Sequence, residues 1–67
     1  MPIVEHEFVV LTRDVTESRL RRGDVGVVVH VYGDREAYEV EFSQCVLTLR
    51  PDDVRRKDER EELRVRE

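Results

Sequence analysis

Three side chains in this sequence of 67 residues are of the types that ligate transition metals: His6, His30 and Cys45. They lie far apart in the chain, without the short paired spacing that zinc sites use. A cysteine acts as a nucleophile only beside a base and an orienting group, and no sequence signature supplies them. We therefore expect no metal site and no cofactor, and we interpret Cys45 as a small core thiol.

Two carboxylates, Glu39 and Glu41, are the next candidates, because paired acids perform general acid–base catalysis. They lie two positions apart on the polar face of a predicted strand. Such catalysis needs a cleft, and a chain this short has little room for one. Gly23, Gly26 and Gly33 do not match a phosphate-binding loop. We therefore predict that the protein is not an enzyme.

One basic cluster suits phosphate or an acidic partner, and it comprises Arg13, Arg19, Arg21 and Arg22. Residues 1–55 nevertheless carry seven Lys or Arg against eleven Asp or Glu, a balance of −4. Nucleic acids and anionic membranes both favour clustered positive charge, so both are disfavoured as partners. A small nucleic-acid-associated barrel that uses these four arginines stays open as an alternative.

Composition divides the chain into two parts. The charged fraction is 42%, well above the usual value of about 25%, and ten of the last twelve residues are charged. We predict a β-barrel domain over residues 1–55 and a charged tail over residues 56–67. The tail is expected to be a frayed helix or disordered, because an isolated helix this short is marginal in water.

The redox and targeting signals favour a cytoplasmic location. A single cysteine allows no internal disulfide, whereas small secreted domains usually carry several. Residues 1–5 lack the basic and apolar regions of a signal peptide. No segment approaches the run of about 20 apolar residues that a membrane-spanning helix needs.

The elements that must position these side chains are short strands. Residues 23–32 hold the densest β-branched run and predict a long central strand. Further strands are predicted at residues 7–11, 37–42 and 46–50, with a single helical turn at 51–53 before a short last strand at Val54.

Gly26 leaves the faces of the central strand open. A glycine inside a strand often marks a bulge or a close backbone approach, and a bulge would exchange the inward and outward side chains. The choice between Val27 and Val28 as the inward residue therefore stays open. The core is expected to comprise Phe8, Val10, Leu20, Val25, Val29, Val31, Tyr38, Val40, Phe42, Leu47, Leu49 and Val54.

This order of elements favours an all-β fold, a small five-stranded SH3-like antiparallel barrel followed by the charged tail. Closing the sheet would remove the exposed edges that a five-stranded open sheet leaves.

Three stretches also resemble a small bacterial family, domain of unknown function 4926: residues 20–32, residues 37–42 and residues 47–49. The resemblance covers most of residues 8–54 and excludes the tail. It implies a stand-alone domain and, because some such proteins are encoded beside a small toxin-like protein, an antitoxin-like or other partner-binding role. This chain departs from the family in the short connection at residues 43–45.

The leading hypothesis is a non-enzymatic protein-binding module, specifically the antitoxin-like partner of a neighbouring toxin-like protein. Val28, His30 and Tyr32 share one predicted strand face and form the first candidate contact surface. Leu63 and Val65 of the tail form the second, because charged segments beside a stable domain often fold on binding. These two residues do not form one apolar stripe on a helix, so the tail should add little to folding. A third hypothesis is an accessory subunit of an enzyme, and the expected state is a monomer or weak homodimer.

Overall fold

The computed structural model describes residues 3–57, which form an all-β fold of five antiparallel strands. This confirms the predicted fold class and the order of the elements. Two 3₁₀ turns, at Thr16–Ser18 and Pro51–Asp53, lie in the connections before the second and the fifth strand. The strands are β1 (Phe8–Leu11), β2 (Val25–Tyr32), β3 (Ala37–Glu41), β4 (Val46–Leu49) and β5 (Val54–Arg56).

The sheet has the strand order β4-β3-β2-β1-β5 and is open, with β4 and β5 at its two edges. Leu49 of β4 and Val54 of β5 nevertheless belong to the same hydrophobic core. The two edges therefore face each other across that core, and the sheet is curled like a small barrel without a closing row of strand pairs. The SH3-like assignment stays a prediction.

The inner face of the curled sheet carries the core, whose fully buried side chains are Val9, Leu11, Val28 and Val40. Around them pack Val15, Leu20, Tyr38, Phe42, Leu49 and Val54. Leu20 is confirmed as an anchor: it is buried and forms an isolated bridge with Val15 in the loop between β1 and β2. Val31 and Leu47 are partly buried against this cluster.

Three residues that were predicted to be in the core are exposed instead: Phe8, Val25 and Val29 are 60%, 42% and 39% exposed. In β1 the apolar run is continuous, so its pattern does not distinguish the two faces, and Val9 and Leu11 point inward. Val10 is buried but lies outside the core cluster, on the outer face of the sheet.

In β2 the faces are set by a bulge at Val29. Val28 pairs with Val40, and the register then shifts so that His30 pairs with Glu39. Two residues of β2, Val29 and His30, therefore lie opposite one residue of β3. As a result Val28 and Val31 both point inward, although they are three positions apart.

Gly26 is explained by a close approach, the other alternative that the sequence left open. It pairs with Val9 on the inner face. A Cβ atom at this position would lie 2.7 Å from Val40 Cγ1 and 2.8 Å from Phe42 Cε1. The backbone of β2 therefore packs directly onto the side chains of the hairpin that follows it.

Two phenylalanines allow a matched test of this core. Phe42 is 5% exposed and Phe8 is 60% exposed, so the same deletion should have different costs. We expect Phe42→Ala to lower the free energy of unfolding by about 3–5 kcal/mol, enough to unfold a domain this small. Phe8→Ala should cost less than about 1 kcal/mol. Chemical denaturation followed by circular dichroism measures both, and equal losses would contradict the assigned faces.

Adding one methyl group at Gly26 should overfill the core. Gly26→Ala is expected to destabilise the domain by about 1–3 kcal/mol, as overpacking does. Because Val40 Cγ1 is the nearest obstacle, the double variant Gly26→Ala/Val40→Ala should lose less than the sum of the two single losses. Strict additivity in denaturation experiments would show that Gly26 is not limited by this contact.

Candidate functional site

The outer face of the sheet is the surface on which exposed side chains of several strands come together. Direct cross-strand partners in an antiparallel sheet point to the same side. The register places Phe8 of β1 beside Val27 of β2, Val27 beside Glu41 of β3, and Glu41 beside Val46 of β4. One row of side chains therefore crosses four strands on the side away from the core.

The outer apolar patch is the hydrophobic part of this face and consists of Phe8, Val25, Val27, Val29 and Val46. Val25 lies two positions from Val27 and so on the same side of β2, and Val46 is 49% exposed. Single exposed apolar side chains are ordinary on protein surfaces, whereas contiguous ones mark interaction sites. This patch is the main candidate for a contact surface.

A polar group borders the patch on β2, β3 and β4. The hydroxyl groups of Tyr32 and Thr48 both donate hydrogen bonds to Oε1 of Glu39, at 2.9 and 2.8 Å. The hydrogen bond to Glu39 raises the pKa of Tyr32, so this phenol stays protonated as a donor. His30 lies opposite Glu39, and its Nδ1 is 3.7 Å from Oε2 of Glu5.

The contact residues predicted from the sequence divide between the two faces. His30 and Tyr32 are exposed, with ring centroids 4.6 Å apart in an edge-to-face arrangement. Val28 is fully buried, and the bulge that follows it places His30 and Tyr32 on the opposite face, so Val28 does not belong to the contact surface. Leu63 and Val65 lie outside the described residues.

Phe8 is a surface residue, although its hydrophobicity predicted it to be in the core. The only signal was the absence of alternation in β1, where both faces are apolar. Such a run fits a strand covered on both sides. In this sheet Phe8 lies on the outer face and is 60% exposed.

The arginines of the basic cluster differ in their surroundings. Arg13 Nε donates to Oδ1 of Asp53 at 2.8 Å, which ties the loop after β1 to the second 3₁₀ turn. The side chains of Arg19, Arg21 and Arg22 are exposed and form no ion pair within residues 3–57.

Acidic side chains organise the same loop. The backbone N–H of Arg21 donates to Oδ2 of Asp24, and that of Arg22 donates to Oδ1 of Asp14, both at 2.9 Å. These carboxylates lie close to the backbone that carries the exposed guanidinium groups, and they offset part of the local positive charge.

Cys45 is a free, half-buried thiol in the connection between β3 and β4. Within residues 3–57, no group of three His, Cys, Asp or Glu side chains is placed to hold a metal ion. An open groove of about 540 Å³ lies between the first described residues and the β2–β3 turn. Of the residues that the structure describes, those lining this groove include no thiol, hydroxyl or imidazole.

One cation on the outer face, the half-buried Arg55, lies on the edge strand β5. Arg55 of β5 pairs with Val10 of β1, which in turn pairs with Val25 of β2. Its Nη1 is buried and has no hydrogen-bond partner among residues 3–57, which is unusual for a charged group. No helix among the described residues is long and apolar enough to cross a bilayer.

Comparison with known proteins gives one match. Residues 5–56 match the family model described as Domain of unknown function (DUF4926). No curated protein and no solved structure matches the chain. The matched range includes all five strands and therefore the whole outer apolar patch.

The Arg13–Asp53 pair predicts a dependence of stability on pH. The hydrogen bond from Arg13 lowers the pKa of Asp53, and the backbone N–H of Arg50 acts in the same direction. A carboxylate whose pKa is lower in the folded than in the unfolded protein stabilises the fold above the unfolded value of about 3.9. This contribution is lost as the pH falls through the folded value.

We therefore expect Asp53→Asn to lower the melting temperature at pH 7, and the difference from the wild type should shrink below about pH 4. Asp52→Asn is the matched control, because it removes the same charge from an exposed neighbour. Thermal melts of the three proteins between neutral and acidic pH measure the effect. A difference that persists unchanged at the lowest pH would show that Asp53 does not stabilise the fold as an anion.

Proposed function

Because the chain belongs to the DUF4926 family and presents an apolar sheet face, we propose that it is a non-enzymatic protein-binding module. Its specific role is that of an antitoxin-like protein that binds a toxin-like product encoded beside it. This role rests on the family resemblance, and the contact surface rests on the geometry of the outer face.

The observation that carries the proposal is the exposure of Phe8. A domain of this size has few large apolar side chains, and it leaves its most exposed aromatic ring on the outer face. Aromatic side chains, Phe among them, dominate the energetics of many interfaces. Val25 and Val27 on β2 and Val46 on β4 extend the patch, so that with Phe8 it covers three strands, as expected for a contact made by several strands at once.

The location that goes with this role is the cytoplasm. Cys45 is free, and a reducing compartment keeps such a thiol from oxidation. The partner would accordingly be a cytoplasmic protein. The tail beyond Lys57, which carries Leu63 and Val65, is proposed as a second contact with the partner.

The second candidate is a nucleic-acid-associated barrel, supported by the exposed side chains of Arg19, Arg21 and Arg22. It is the weaker candidate for two reasons. Arg13 is held by Asp53, and the chain as a whole carries a charge of −4, which opposes a phosphate-binding footprint.

Co-expression with the product of the adjacent gene tests the proposed function. That product alone should slow growth, and the full chain should restore growth and co-purify with it in a fixed ratio. Phe8→Ser should lose both effects while circular dichroism and melting stay close to wild type. Asp34→Asn is the control, because its side chain is 94% exposed in the β2–β3 turn and lies outside the patch.

Three results would contradict the proposal. The adjacent product could fail to slow growth or fail to co-purify, or Phe8→Ser could retain full rescue. Salt-dependent nucleic-acid binding tighter than about 1 μM, beyond the usual non-specific range, would favour the second candidate if Arg21→Glu/Arg22→Glu abolished it.

A further inference from the structure

The geometry points to the chemistry of the partner: we propose that the outer face binds a protein segment in which apolar side chains are flanked by Arg or Lys. This inference rests on the proposed protein-binding function and deepens it. It has an apolar half, centred on Phe8, and an acidic half, centred on Glu39 and Glu41.

The apolar half spans several strands. Phe8 and Val46 are the two ends of the row that runs through Val27 and Glu41. Neighbouring strands are about 4.8 Å apart, so these ends are separated by roughly 14 Å. A partner segment of this length can place two or three apolar side chains on the row. A single small ligand would leave one end uncovered.

The acidic half is arranged to receive a cation. Both hydroxyl donors to Glu39, from Tyr32 and Thr48, bond to Oε1. No hydrogen bond within residues 3–57 is made to its Oε2, which is therefore available to a partner. Glu41 is exposed two positions along β3 and lies in the apolar row itself. An Arg or Lys side chain over β3 would meet two carboxylates, one of them held in place by its neighbours.

Two basic side chains on the same face, His30 and Arg55, do not cancel this acidic character. His30 lies opposite Glu39 but has Glu5 as its own partner. Arg55 is on β5, three strand spacings from β3, or roughly 14 Å. That distance exceeds the Debye length of about 8 Å at physiological salt, and Arg55 is itself half-buried.

The same charges argue against other occupants. In a symmetric dimer the same patch forms both sides of the interface, and a two-fold axis near β3 would place Glu39 and Glu41 against the Glu39 and Glu41 of the second copy. Like charges placed against each other across an interface are unfavourable. A nucleic acid would bring phosphates to these carboxylates and is disfavoured for the same reason.

A pair of synthetic peptides tests the inference on the full chain. The first is a nine-residue peptide that alternates Leu or Val with Arg, and the second has Glu in every Arg position. Titration followed by amide chemical shifts measures affinity and location together. We expect the Arg peptide to bind at least about ten-fold more tightly than the Glu peptide, and to shift the amides of Phe8, Val27, Glu41 and Val46.

Matched variants separate local recognition from general attraction to an acidic protein. Glu39→Gln/Glu41→Gln should lower the affinity for the Arg peptide by about three- to ten-fold, since each exposed ion pair contributes little by itself. Asp34→Asn/Asp52→Asn removes the same number of charges outside the outer face and should leave the affinity within about two-fold. Phe8→Ser should weaken binding and remove the outer-face shifts.

Four outcomes would overturn the inference: equal affinity for the two peptides, no binding of either, shifts confined to the loop of Arg19–Arg22, or equal losses in the two double variants. A dimer in sedimentation experiments that Phe8→Ser abolishes would assign the face to a second copy and would also overturn it.

The co-purification experiment distinguishes this inference from the proposed function. If Phe8→Ser abolishes co-purification of the adjacent gene product but Glu39→Gln/Glu41→Gln does not affect it, the protein-binding function stands. The inference that the partner segment carries Arg or Lys is then wrong. If that product never binds while the Arg peptide binds as expected, the antitoxin-like role is wrong and the chemistry of the outer face stands.

Discussion

The structure depends on the bulge at Val29, because this one extra residue decides which side chains of the longest strand enter the core. Before it, Val28 pairs inward with Val40; after it, Val31 pairs inward with Tyr38. Without the bulge, strict alternation would put one of these two valines on the surface. The bulge also increases the local bend, and a bent β2 lets an open five-stranded sheet close around one core.

Packing at the other end of β2 imposes a second constraint. Gly26 allows the backbone of β2 to lie against the side chains of Val40 and Phe42. The inner face of the sheet carries Val9, Val28 and Val40, whereas Phe8, Val25 and Val29 remain exposed. Phe8 is exposed because it pairs with Val27 on the outer face. The proposed binding surface is therefore the side of the sheet opposite the core.

Stability and function therefore use opposite faces of the same strands. Val9 and Leu11 hold β1 to the core, whereas Phe8, one position earlier, is free to contact a partner. The polar border is built in the same way: Tyr32 and Thr48 hold the carboxylate of Glu39 from the two neighbouring strands. A partner that binds here meets a surface whose charged group is already oriented, which reduces the entropy lost on association.

The sequence by itself determined the all-β class, the order of the strands along the chain and the turns that separate them. It also determined the two faces of β3, because Tyr38 and Val40 alternate with Glu39 and Glu41. Only the tertiary structure decided the faces of β1 and β2, where both sets of side chains are apolar and local hydrophobicity does not distinguish them. The position of the bulge and the close approach at Gly26 depend on how the side chains of the next hairpin pack against β2, which the local pattern of β2 does not show. For that reason Val28 was predicted on the surface and Phe8 in the core, and the packing of β1 and β3 against β2 exchanged them.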